Sequence, residues 1–67
     1  MTLIEKLKPE YKEVFQKNNL EYPALVDRII NCFEQLEYVS DIPFGIWIDI
    51  KFFTNAFSPF ELFTDNI

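Results

Sequence analysis

The sequence contains no histidine, one cysteine and one glycine among its 67 residues. Without histidine, the chain lacks the side chain most often used for general acid–base catalysis. One cysteine excludes an intrachain disulfide, and it falls short of the tetrahedral Cys and His set of a structural zinc site. One glycine excludes the glycine-rich loops that bind phosphate groups. These absences predict a protein that is not an enzyme and that uses neither a metal nor a cofactor.

Long apolar runs are also missing. No stretch of the sequence approaches the roughly 18 apolar residues that a transmembrane helix requires. Glu5, Lys6 and Lys8 place charges in the N-terminal region, which therefore lacks the apolar centre of a secretory signal. A lone thiol without an export signal favours a reducing compartment. We therefore expect a cytoplasmic protein with no membrane span.

Aromatic and acidic residues, by contrast, are abundant. Aromatic residues make up 18% of the chain, and its formal net charge is −5. A domain this short buries only about 60% of the surface that its unfolded chain exposes, so part of this apolar load is expected to remain outside as contact surface. The negative charge repels phosphate, which argues against direct binding of nucleic acid and favours a basic protein surface as partner.

Four prolines divide the chain into four segments. Apolar residues recur at helical spacing through residues 2–18, and Thr2 with Glu5 fits a capping box. Pro9 lies inside this pattern, which predicts either one kinked helix or two short helices. Pro23 suits a first helical turn, and the apolar face that follows it predicts a helix over residues 23–38.

The third segment, residues 41–56, is compatible with two structures. Between residues 46 and 53 isoleucines alternate with other residue types, which is typical of a strand. Asp41 is a good helix cap and Pro43 would then lie in the first turn, which favours a helix. A strand would also need a partner segment, and none is evident. We therefore favour the helix and keep the strand as the alternative.

The last segment, residues 58–63, has a second capping box, formed by Ser58 and Glu61 around Pro59, which predicts a short helical turn over 59–63. The sequence as a whole predicts a single domain of mainly α structure, a compact bundle of three to four short helices. The alternative is an α+β domain in which residues 46–53 form a strand.

Two small groups of polar residues could in principle form a reactive or a cation-binding site. Cys32 has Arg28 one helical turn before it, which is the only feature that would lower the pKa of its thiol. Glu34 and Glu37 would share one face of the second helix, but two carboxylates supply too few oxygens for a dedicated cation site. Neither group predicts catalysis or a metal site.

The informative feature is the aromatic cluster near the C-terminus. Phe53, Phe57 and Phe60 are spaced as on one helix face, and aromatic residues are enriched at the centres of protein interfaces. Acidic residues nearby would steer the approach of a basic partner. The predicted protein-binding residues are Trp47, Asp49, Phe53, Phe57, Phe60, Glu34, Glu37 and Asp41.

These features predict a small acidic regulatory protein that binds another protein and inhibits it by steric occlusion. One candidate target is a basic nucleic-acid-processing enzyme, to which the carboxylates of Glu34, Glu37, Asp41 and Asp49 would stand in for the phosphates of its nucleic acid. In length and charge alone, the chain resembles small inhibitors, antitoxins, immunity proteins and phage-encoded anti-defence proteins. The alternative is a structural subunit of a homo-oligomer, such as a homodimer, or of a permanent assembly.

Overall fold

The computed structural model describes residues 2–55 and 59–64, without the side chains of residues 59 and 60. Its four helices are α1 (Leu3–Lys6), α2 (Pro9–Asn18), α3 (Pro23–Gln35) and α4 (Phe44–Thr54), and two 3-10 turns span Val39–Asp41 and Pro59–Leu62. The described residues contain no strand, only an isolated bridge between Leu7 and Phe63. The prediction of a mainly α bundle of short helices is confirmed.

The N-terminal segment follows the two-helix alternative. Leu7 and Lys8 are extended, with ψ angles of 138° and 141°, so the chain leaves α1 before Pro9 begins α2. This break removes the clash that a proline causes inside a helix. The predicted capping box is wrong in detail, because Thr2 makes no side-chain cap. The backbone N–H of Glu5 instead donates to the carbonyl of Thr2 at 3.1 Å.

Helix α3 ends at Gln35, three residues before the predicted end at Tyr38. Leu36 is extended (ψ 151°), and its carbonyl accepts a hydrogen bond of 2.8 Å from the backbone N–H of Leu3. This bond ties the end of α3 to the beginning of α1. Glu37 therefore lies beyond the helix, and the predicted helical face shared by Glu34 and Glu37 does not form.

The third segment is helical, as favoured over the strand alternative. Its cap differs from the prediction, because Pro43 occupies the cap position of α4 and Asp41 belongs to the preceding 3-10 turn. Asn55 ends the helix in the left-handed conformation, with φ 67°, and its N–H donates to the carbonyl of Lys51 at 2.8 Å. Asparagine tolerates this conformation better than most residues.

Helix α3 lies at the centre of the bundle and contacts α1, α2 and α4. The C-terminal segment, residues 62–64, closes the bundle beside residues 6–8. The N–H of Lys8 donates to the carbonyl of Leu62 at 3.2 Å, and both the N–H and the hydroxyl of Thr64 donate to the carbonyl of Lys6 at 3.1 Å. The buried core comprises Leu3, Leu7, Tyr11, Phe15, Val26, Ile29, Phe33, Val39, Ile42, Ile46, Ile50, Leu62 and Phe63.

Candidate functional site: the exposed apolar face of helix α4

Helix α4 is apolar on the side that faces water as well as on the side that faces the core. Ile46 and Ile50 are buried and face the core. Phe44, Ile48 and Phe52 follow one another at intervals of four residues on another face of the helix. Their exposed fractions are 78%, 53% and 73%, respectively. These three side chains are called the α4 ridge.

The α4 ridge is large relative to the chain. With roughly 200 Å² for a fully exposed aromatic side chain, its three members present about 400 Å² of apolar surface to water. The largest apolar patch on a typical monomer measures about 300–600 Å² and is often functional. The whole described surface amounts to 4547 Å². A patch of this size on so small a protein is therefore a candidate contact site.

The borders of the ridge are almost free of negative charge. Lys51 is exposed at the C-terminal half of α4. Gly45 is exposed in the first turn, and a methyl group added at its Cα would meet no atom within 4 Å. Its φ angle is not positive, so the backbone of α4 does not require glycine there. The ridge is thus bordered by the positively charged Lys51 and by Gly45, which has no side chain.

Two of the predicted aromatic anchors, Trp47 and Phe53, are not part of the α4 ridge. Trp47 and Phe53 are half-buried and pack against the core. The ring of Phe53 stacks on that of Phe15, with centroids 5.4 Å apart, and meets the ring of Tyr22 edge-on at 6.1 Å. Phe57 and the side chain of Phe60 lie outside the described residues. Their assignment to a protein-binding surface stays a prediction.

Three of the predicted acidic residues lie on different elements of the chain. Glu34 is exposed on α3, Glu37 is exposed in the segment after it, and Asp41 is exposed in the 3-10 turn before α4. Of these three, Asp41 lies nearest in sequence to the α4 ridge. None of these three acids lies on α4, and their predicted role at a protein contact stays a prediction.

Asp49 lies on the side of α4 that faces α3, and its predicted role in binding a protein stays a prediction. Its Oδ2 atom lies 3.3 Å from Nη1 of Arg28. The same oxygen is shielded from water and accepts no hydrogen bond from the described residues, so the contact is an ion pair without hydrogen-bond geometry. Because Arg28 is largely exposed, this pair fixes the two helices relative to each other with only a small stabilising effect.

A groove with a cavity volume of about 370 Å³ lies between α3 and the start of α4, lined in part by Cys32, Asp41 and Ile46. Burial raises the pKa of the Cys32 thiol, which keeps it protonated and weakly nucleophilic. Arg28, the residue expected to activate this thiol, also lines the groove but contacts Asp49. Within residues 2–55 and 59–64, no group of three or more His, Cys, Asp and Glu residues could hold a metal ion. The groove is therefore partly polar, but its thiol is not activated for catalysis.

The three ridge residues were missed because the sequence prediction grouped the aromatic residues around Phe53. The signal was nevertheless in the sequence. Once α4 is taken as a helix, the inward spacing of Ile46 and Ile50 places Phe44, Ile48 and Phe52 on a different side. The alternation that suggests a strand concealed this second helical spacing.

Comparisons of the chain with protein-family models, with curated proteins and with solved structures gave no match. None of the described helices has the length and apolar character needed to cross a membrane.

Proposed function

We propose that this chain is a non-enzymatic regulatory protein that binds another protein through the α4 ridge. The observation that carries the proposal is the exposure of Phe44, Ile48 and Phe52 on one face of a single helix. Aromatic and large aliphatic side chains supply most of the binding energy at interface centres, provided that a pocket on the partner removes them from water. A rigid helix presents them without the entropy cost of ordering a loop.

The partner that fits this surface has an apolar groove and carries a net positive charge. The chain carries a net charge of −5, so a basic target is attracted over a distance beyond direct contact. The exposed acid nearest the ridge in sequence, Asp41, precedes the helix. A helix laid in a groove covers whatever the groove otherwise binds, and steric occlusion is therefore the mechanism of inhibition. A basic nucleic-acid-processing enzyme remains one candidate target.

The lack of an evident catalytic base or activated nucleophile supports this assignment over an enzymatic one. The sequence has no histidine, and the thiol of Cys32 is held in its neutral form by burial. The α4 ridge, in contrast, is exposed on the surface of the folded chain.

Site-specific crosslinking in the source cell tests the proposal. A photoreactive phenylalanine analogue replaces Phe52 in one variant and Asn31, an exposed residue of α3, in a matched control. We expect a discrete crosslinked product containing a different protein from position 52 and little or none from position 31. No such product from position 52, or equal products from both positions, would contradict the proposal.

Salt dependence then tests the charge of the target. Once the crosslinked protein is purified, its affinity for the chain is expected to fall as salt rises from about 50 mM to about 500 mM, because exposed opposite charges are screened. An affinity that does not change with salt would exclude the basic target and leave an apolar one.

A further inference from the structure

We infer that, when no target is bound, the α4 ridge is covered by a second copy of this chain in a two-fold pair of antiparallel α4 helices. The inference rests on the proposed function only in that both assign the ridge to protein contact. It names an occupant that is present in a solution of the pure protein.

The order of side chains along the ridge suits a two-fold axis. Phe44 and Phe52 lie equally far, four residues, on either side of Ile48. With two antiparallel helices and the axis at Ile48, each Phe44 meets the Phe52 of the other copy, and the two Ile48 side chains meet at the centre. The same patch thus serves both copies, which is the condition for a closed two-fold interface.

Two residues beside the ridge, Gly45 and Lys51, are also complementary in this antiparallel arrangement. Gly45 and Lys51 lie three residues before and three residues after Ile48, so each Gly45 faces the Lys51 of the other copy. The space above Gly45 is open, since an added methyl group would meet nothing within 4 Å. The aliphatic part of a lysine side chain can lie over such bare backbone while its ammonium group remains in water. This contact gives the single glycine a role that the fold of one copy does not.

Charge is complementary in this arrangement as well. An antiparallel pair brings the C-terminal half of each α4, with exposed Lys51, to the N-terminal end of the other, which exposed Asp41 precedes. Each copy carries a net charge of −5. The described acids nevertheless leave the ridge itself uncharged, so two ridges can meet without bringing carboxylates into contact.

The area of the ridge sets the strength of the pair. Two ridges of about 400 Å² each remove about 800 Å² from water, which is below the roughly 1,200–2,000 Å² of a stable specific interface. We therefore expect a reversible dimer with a Kd of about 10–100 µM rather than a permanent assembly. A dimer of this strength releases the ridge to a target that binds more tightly.

Analytical ultracentrifugation of the full chain tests the inference over total concentrations of about 1 to 500 µM, a range that brackets the expected Kd. The mass of the sedimenting species is expected to rise from 8.0 kDa towards twice that value. Ile48→Asp is expected to weaken the association at least about tenfold, because it places a charge at the centre of the interface. Asn31→Asp adds the same charge on α3 and is expected to leave the association unchanged.

Exchanging the charges at positions 41 and 51 tests whether the two α4 helices of the dimer run antiparallel. Lys51→Glu is expected to weaken dimerisation, and Asp41→Lys in the same chain is expected to restore it, because only the antiparallel arrangement brings the C-terminal half of one α4 near the N-terminal end of the other. Circular dichroism checks that each variant retains its helices. A wild-type chain that stays monomeric throughout, or a dimer that Ile48→Asp does not weaken, would overturn the inference.

The result separates the inference from the proposed function. A monomeric pure protein that crosslinks from position 52 to another protein refutes the dimer and leaves the proposed function in place. A dimer that crosslinks only to itself refutes the proposed function and leaves the dimer.

Discussion

Helices α3 and α4 pack against each other, yet the sides that they turn to water differ in kind. α3 exposes polar residues, among them Asp27, Asn31 and Glu34, whereas α4 exposes Phe44, Ile48 and Phe52. Both helices already bury an apolar face, formed by Val26, Ile29 and Phe33 in α3 and by Ile46 and Ile50 in α4. The described core therefore does not include the apolar residues on the outer side of α4, and this difference between the helices is the observation on which the proposed contact rests.

The largest effect is expected where α3 fills the core. Phe33 is fully buried, and its ring meets those of Phe15 and Phe63 edge-on at 6.2 Å and 5.6 Å. Phe33→Ala leaves a cavity and is expected to lower the free energy of unfolding by about 3–5 kcal/mol. Urea denaturation measures this loss, with Asn31→Ala on the exposed side of α3 as the control. A loss below about 1 kcal/mol would mean that the core tolerates a cavity at this point.

The two sides of α4 are compared directly by Ile50→Ala and Ile48→Ala. Ile50 is 1% exposed, so its truncation is expected to lower the free energy of unfolding by about 2–5 kcal/mol. Ile48 is the same residue type two positions earlier, but it lies on the ridge. Its truncation is expected to change the stability of the monomer by no more than about 0.5 kcal/mol.

Both values are measured by urea denaturation at a concentration below the expected dimer Kd, so that self-association does not contribute. Similar losses at the two positions would contradict the division of α4 into a core side and a contact side.

A smaller effect is expected for the ion pair that joins the two helices. Asp49→Asn removes the charge that faces Arg28 across 3.3 Å. The expected loss in the free energy of unfolding is about 0.2–1 kcal/mol, since the guanidinium group is largely exposed and screened by water. Asp27→Asn, on the exposed side of α3, is the control. The difference between wild type and Asp49→Asn should shrink in high salt, and a difference that persists would indicate packing rather than charge.

The smallest effect concerns Cys32, on the side of α3 that lines the groove. Because burial raises the pKa of its thiol, the folded chain binds this proton more tightly than the unfolded chain. The associated stabilisation is present below the unfolded pKa and is lost as pH rises through the folded pKa.

Two measurements check this expectation. Alkylation by iodoacetamide near pH 8.5, about the ordinary pKa of a cysteine, should be slower in the folded chain than in urea. Cys32→Ala should remove the thiol's share of the alkaline loss of stability. Equal alkylation rates in the folded and unfolded chains would contradict a shielded thiol.

The sequence was sufficient to predict the helical class and the position of α3 and α4, because proline positions and apolar spacing are local properties. It failed at boundaries that depend on distant residues. The early end of α3 follows from the hydrogen bond between Leu36 and Leu3, which no local pattern reveals. The bridge between Leu7 and Phe63 is equally non-local.

The candidate site was less predictable than the fold, for a related reason. An excess of aromatic residues indicates that some lie outside the core, but it does not identify which. Phe53 and Phe52 are adjacent in sequence and differ by about 100° around the helix, so one packs on Phe15 while the other faces water. Only the orientation of α4 relative to α3 decides between them.

The contact between residues 6–8 and 62–64 has a consequence for synthesis on the ribosome. Leu62 and Phe63 complete the core, and they leave the ribosome after α1 to α4 have been made. Until then, the emerging chain exposes the ring of Phe33 that Phe63 later covers. This bundle therefore cannot complete its core before residues 62 and 63 have been synthesised, and a chain truncated shortly before residue 62 exposes apolar surface that chaperones and proteases recognise.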